Sequence, residues 1–105
     1  MAKYLFAYHG GSGMAASEEE QQEIMAAWGA WYESLGSAIV DGGAPVGVAK
    51  TVASDGSVSD GGGANPLTGF TVVAAGSLDE AVKHAAGCPI RDAGGSVEVA
   101  ELIEM

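Results

Sequence analysis

A chain of 105 residues, 48% apolar and 17% charged, is long enough for one modest core and too apolar to stay disordered. Fourteen acidic against four basic residues give a formal charge of −10, which argues against nucleic acid and anionic membranes as electrostatic partners. No apolar run reaches the roughly 18 residues of a membrane span. Met1-Ala2-Lys3 leads straight into a strand pattern, and the lone Cys88 cannot form an internal disulfide. The expectation is a cytoplasmic protein without a leader peptide, with residues 1–105 forming one domain.

Lys3–Tyr8 reads as the first strand, with Tyr4, Phe6 and Tyr8 on one face and Leu5, Ala7 and then His9 on the other. Both faces are largely apolar. Helices can cover one, and a second subunit is the natural cover for the other. The glycine-rich segment His9-Gly10-Gly11-Ser12-Gly13 follows. It lacks the lysine of a phosphate-binding loop, and the next helix opens on Glu18, Glu19 and Glu20, which would repel a phosphate.

Ser17 with Glu20 three places on forms a capping box that starts the first helix. Ile24, Trp28, Trp31 and Leu35 make its apolar stripe, flanked by Met25, Ala27 and Tyr32, and Gly36 ends it. The tryptophans serve sheet packing first, while Trp28 is also a candidate stacking surface for a ligand. A brief second strand, Ser37–Val40, runs into the turn Asp41-Gly42-Gly43-Ala44-Pro45. Val48, Lys50 and Val52 then alternate with small residues up to a hairpin turn at Asp55-Gly56, and Val58 begins a weak return. Ser59–Thr68 is glycine-rich and aperiodic, a natural pocket wall.

Phe70–Ala75 is a β-branched run bounded by Gly69 and Gly76. Ser77 and Glu80 repeat the capping box, and Leu78, Val82 and Ala85 mark the second helix's stripe, widened by Ala81. Gly87 is the expected left-handed residue that closes this helix, and Pro89 forbids its continuation. Gly94-Gly95 releases the chain into a last strand, Ser96–Leu102, with Val97 and Val99 on one face. The order βαβ, hairpin, βαβ predicts an α+β, ferredoxin-like split βαβ fold: four antiparallel strands with both helices on one face. The other face is expected to carry Tyr or Phe from the first strand and Val from the last, and to be buried in a homodimer.

His9, beside the glycines at the end of the first strand, is the leading candidate base, with Asp41 as the carboxylate that would orient it. Lys50 and Arg91, scarce cations on an acidic chain, are candidate anchors for an anionic group. His84 falls off its helix's stripe and reads as exposed. Cys88 follows a helix C-terminus, where the dipole raises a thiol pKa, and reads as a packing residue. No C-x-x-C, H-x-x-x-H or G-x-S-x-G spacing occurs, so no metal or other cofactor is expected.

The run from Gly69 to Glu101, with Ser77-Leu78-Asp79-Glu80-Ala81, Gly87-Cys88-Pro89 and Gly94-Gly95-Ser96-Val97-Glu98-Val99, resembles the YCII-related (DGPF) proteins, and the resemblance extends over nearly the whole chain. It implies a dimeric α/β barrel. At the place of the D-G-P-F motif this chain has Ser59-Asp60-Gly61-Gly62, which carries Asp60 over as a candidate ligand-binding residue without the Pro and Phe. Better-studied members have a His–Asp pair proposed as catalytic, with the His in the first helix region. Here no His lies between Gly10 and Gly36, so His9 would be a substitute from another position. Three functions follow. The first is a homodimer binding a small aromatic or acidic ligand. The second is a cofactor-independent lyase, isomerase or dehalogenase-like enzyme, since one branch eliminates chloride from an aromatic substrate. The third is a protein-interaction module, since some relatives are associated with alternative sigma factors.

Overall fold

A computed structural model of the chain describes residues 1–10 and 17–104. Its elements are β1 (Ala2–His9), α1 (Glu18–Leu35), β2 (Ile39–Pro45), β3 (Lys50–Val52), β4 (Val58–Asp60), β5 (Leu67–Ala75), α2 (Leu78–Ala85) and β6 (Ser96–Leu102). Single 3-10 turns at Gly36–Ala38 and Pro89–Arg91 follow the two helices. Among the described residues no helix is long and apolar enough to cross a membrane.

Both helices start as their sequences dictate. The Ser17 and Ser77 hydroxyls accept from the backbone N–H of Glu20 and Glu80, each at 3.1 Å. The reciprocal bond of the second box lands one residue early: Glu80 Oε2 accepts from Gly76 N at 2.8 Å. Gly36 closes α1 at φ +53. Gly87, by contrast, is not left-handed; α2 ends at Ala86 in ordinary helical geometry. A Cβ at Gly87 would lie 3.4 Å from Trp31 Cδ1, an ordinary packing distance.

The main sheet runs β2-β5-β1-β6, and each neighbouring pair is antiparallel. The two strands of each βαβ unit are therefore separated by a strand of the other, which is the ferredoxin-like arrangement of an α+β fold. β3 and β4 form a separate two-stranded hairpin. β2 departs from expectation. Asp41–Pro45 is not a turn after the strand but its continuation, paired to β5 through two irregularities, one before and one after Asp41. Gly43, at φ +70, supplies a conformation that a regular strand cannot.

The core lies between the sheet and the helices. Tyr4, Phe6 and Tyr8 meet Trp31, Leu35, Ala81 and Ala85, with Val97 and Val99 packed at the margin. The aromatic face of β1 and the valines of β6 thus lie under the helices, which corrects the expectation that they occupy the other face. Two tryptophans on one helix need a deep apolar bed, and alternation along β1 and β6 then commits all these side chains to one side. The opposite face carries Leu5, Ala7, Phe70, Val72, Ala74 and Ala100, with no helix over it among the described residues. On α2 the buried residues are Ala81 and Ala85, while Leu78 and Val82 are each 48% exposed. The stripe is rotated because only a small side chain fits the close approach to the sheet.

Candidate functional site

Three elements meet where β1 ends, and they leave a cavity of about 440 Å³. α1 contributes Trp28 and Tyr32, the bulged end of β2 contributes Gly43–Pro45, and the start of β5 contributes Thr68–Phe70, with Tyr8 and Ile90 completing the wall. Two glycines shape its wall, Gly69 by leaving space beside Tyr8 and Gly43 by letting β2 approach the β5 backbone. At Gly69 a side chain would meet Tyr8 Cδ2 and Ala44 O at 3.3 Å, and at Gly43 a Cβ would lie 1.7 Å from Phe70 O. The Asp41 carboxylate fixes this rim, because its Oδ1 accepts from Gly43 N at 2.9 Å.

The cavity's two tyrosines converge on one buried hydroxyl. Tyr8 OH donates to Thr71 Oγ1 at 2.8 Å, and Tyr32 OH lies 3.0 Å from the same atom. Thr71 is fully buried. Gly42 O accepts at the end of the cluster, 3.3 Å from Tyr32 OH and 3.4 Å from Thr71 Oγ1. Burial holds the Tyr8 phenol well above its ordinary titration range, so it stays a neutral hydroxyl rather than a base. Trp28 stands edge-on to Tyr8, with ring centres 5.1 Å apart, and also lines a neighbouring cavity of about 420 Å³ beside α1.

His9 sits at the end of β1, with its side chain on the helix-free face. Its Nδ1 lies 3.0 Å from Asn65 O, and its Nε2 lies 3.0 Å from Glu98 Oε1. His9 is therefore held at both ring nitrogens, and its carboxylate partner is Glu98, not Asp41. The reason is strand order: β5 lies between β1 and β2, and Asp41 pairs with Val72, itself opposite Leu5, four residues from His9 along β1.

The remaining candidates are dispersed. Lys50 and Asp60 pair with each other at 3.1 Å on the exposed hairpin and do not line the cavity. Arg91 donates to the carbonyl of Ala86 at the end of α2. His84 lies 3.9 Å from Glu80 within α2. Cys88 is buried, and that burial pushes its thiol up to about 11. The part of the glycine-rich segment beyond Gly10 lies outside the described residues. Of the residues the sequence pointed to, Trp28 lines the cavity and Ser59–Thr68 contributes only Thr68 to it, while Tyr8, Tyr32 and Thr71 were missed as a polar cluster. The available signal was a threonine in the middle of the apolar run Phe70–Ala75, beside a strand with tyrosines at two positions of one face.

Compared with protein-family models, residues 4–105 match the YCII-related domain. No curated protein matches the chain.

Proposed function

The chain belongs to the YCII-related domain family, and on that premise we propose that it acts as a single-domain, homodimeric small-molecule-binding protein of the cytoplasm, with its ligand in the cavity between α1, β2 and β5. The observation that carries this reading is the union of size and chemistry there. A half-open cavity of about 440 Å³ lined by Trp28, Pro45, Gly69 and Ile90, with two tyrosine hydroxyls focused on a buried threonine, fits a small organic ligand. The apolar face of Leu5, Phe70, Val72, Ala74 and Ala100 supports the homodimer, since a second copy of the same face is its simplest cover.

A thermal-shift screen against small aromatic acids, phenols and short metabolites tests the binding. A ligand selective for the native state adds about 2.7 kcal/mol at a hundred times its dissociation constant. A reproducible rise with one chemical class supports the reading, and a silent panel on well-folded protein counts against it. Light scattering tests the assembly: the 10.4 kDa chain runs at twice that mass, and Val72→Asp returns it to one.

A second reading is favoured by the His9–Glu98 bridge. An imidazole oriented by a carboxylate can serve as a general base, as a cofactor-independent lyase, isomerase or dehalogenase-like enzyme requires. His9→Ala then abolishes turnover with the fold intact, whereas in a pure binder ligand-dependent melting survives the substitution.

A further inference from the structure

The hydroxyl cluster behind the cavity has three protons to place: those of Tyr8, Thr71 and Tyr32. Tyr8 donates to Thr71. Thr71 then donates to Tyr32 or to the Gly42 carbonyl, and Tyr32 donates to Gly42 or to Thr71. Each of the three protons thus has an acceptor inside the cluster, the last of them a carbonyl that only accepts. What the tyrosines have left for a ligand is oxygen lone pairs, and Tyr32 is the more exposed of the two.

The rest of the wall offers little to an anion. None of the lining residues is charged. The Thr68 hydroxyl is turned to the backbone oxygens of Tyr8 and Gly10. The Trp28 indole N–H is the one lining side-chain donor for which the described residues supply no acceptor. A single neutral N–H does not replace the hydration of a carboxylate, and the chain's charge of −10 adds repulsion. Gly69 keeps the space between the β2–β5 rim and the Tyr8 ring free of a side chain, and a flat ring can lie against Trp28.

Building on the reading of this cavity as a ligand site, we infer that it selects an uncharged aromatic that donates a hydrogen bond, an aryl hydroxyl or aryl amine, to the Tyr32 oxygen, and that it rejects aromatic acids.

Three matched probes separate the possibilities on the whole chain at neutral pH: phenol, its methyl ether anisole, and benzoate. Binding is followed by two-dimensional NMR of the Trp28 indole and the Gly43 and Gly69 amides. Phenol is expected to bind roughly tenfold more tightly than anisole, the worth of one net hydrogen bond. Benzoate is expected to leave these resonances unmoved at the same concentration. In Tyr32→Phe the preference for phenol over anisole falls towards unity while anisole binding persists. Anisole equal to phenol, or benzoate binding as well as phenol, overturns the selection rule and leaves the cavity as a ligand site. A preference that survives Tyr32→Phe intact overturns the assignment to Tyr32. If none of the three moves the cavity resonances, the ligand-site reading falls with it. The ranking of probes on the unsubstituted chain decides the matter even where Tyr32→Phe folds poorly.

Discussion

The indole N–H of Trp31 donates to the carbonyl oxygen of His84 at 2.9 Å, tying the middle of α1 to the last turn of α2. The same ring stacks on Phe6 at 6.0 Å, so a single side chain joins both helices to the sheet. Trp31→Phe keeps an aromatic ring but loses this bond and part of the buried area. The expected cost is about 2 kcal/mol, read as a fall in Tm of roughly 10 °C. Because His84 O also accepts from Gly87 N, the loss is one of packing and bridging rather than of an orphaned carbonyl.

Gly43 and Gly69 face the same cavity but differ in what a methyl group would meet. At Gly43 it would collide with the Phe70 carbonyl in a left-handed backbone, whereas at Gly69 the nearest atoms are 3.3 Å away. Gly43→Ala should therefore destabilise by at least about 2 kcal/mol, through backbone strain and overpacking. Gly69→Ala should stay within about 1 kcal/mol of the parent, since the tighter contact is offset by a less flexible unfolded chain. Urea melts of the two variants side by side check the contrast.

Thr71 separates the worth of a hydroxyl from that of a methyl. Thr71→Val conserves shape and removes the acceptor of Tyr8 OH in a fully buried place, at an expected cost of about 1–3 kcal/mol. Thr71→Ser keeps the acceptor and loses one methyl, at about 1 kcal/mol. Equilibrium unfolding should rank Ser above Val. The reverse order would show that the hydroxyl cluster contributes little to stability.

Cys88 titrates late because burial disfavours its thiolate, with Arg91 only partly offsetting this. Its folded value, about 11, lies above the ordinary 9.0, so its contribution to stability is complete below pH 9 and is lost as pH rises towards 11. The alkaline decline of stability across that window should be shallower in Cys88→Ala than in the parent. Alkylation by iodoacetamide at mildly alkaline pH should be slow in the native protein and fast in denaturant.

Local chemistry was the legible part of this fold. Ser17 and Ser77 cap the helices they were expected to cap, because a capping bond spans three residues and needs nothing distant. The strand–helix alternation was legible for the same reason. Pairings across the chain were not. His9 meets Glu98 across 89 positions, and Tyr8 meets Thr71 across 63. Periodicity reports which face a residue takes, but strand order decides what stands opposite. The Asp41–Pro45 segment read as a turn because glycines and proline mark turns, and only the bulged pairing with β5 makes it a strand. Gly87 reads as a left-handed cap by its place after the helix, yet its backbone is not left-handed and α2 ends at Ala86.

Among the described residues the β3–β4 hairpin makes its ladder only with itself, and Val52 and Val58 on it are 69% and 60% exposed. A lone two-stranded ribbon is marginal in water, so this arm opens without the body of the protein opening. Its backbone amides should exchange with deuterium orders of magnitude faster than those of β1 and β5, at a rate set by local unfolding rather than by global stability. Two thermodynamic units thus share one short chain. Substitutions between Lys50 and Asp60 can be made, or residues inserted at the Asp55-Gly56 turn, with the melting of the sheet left where it was.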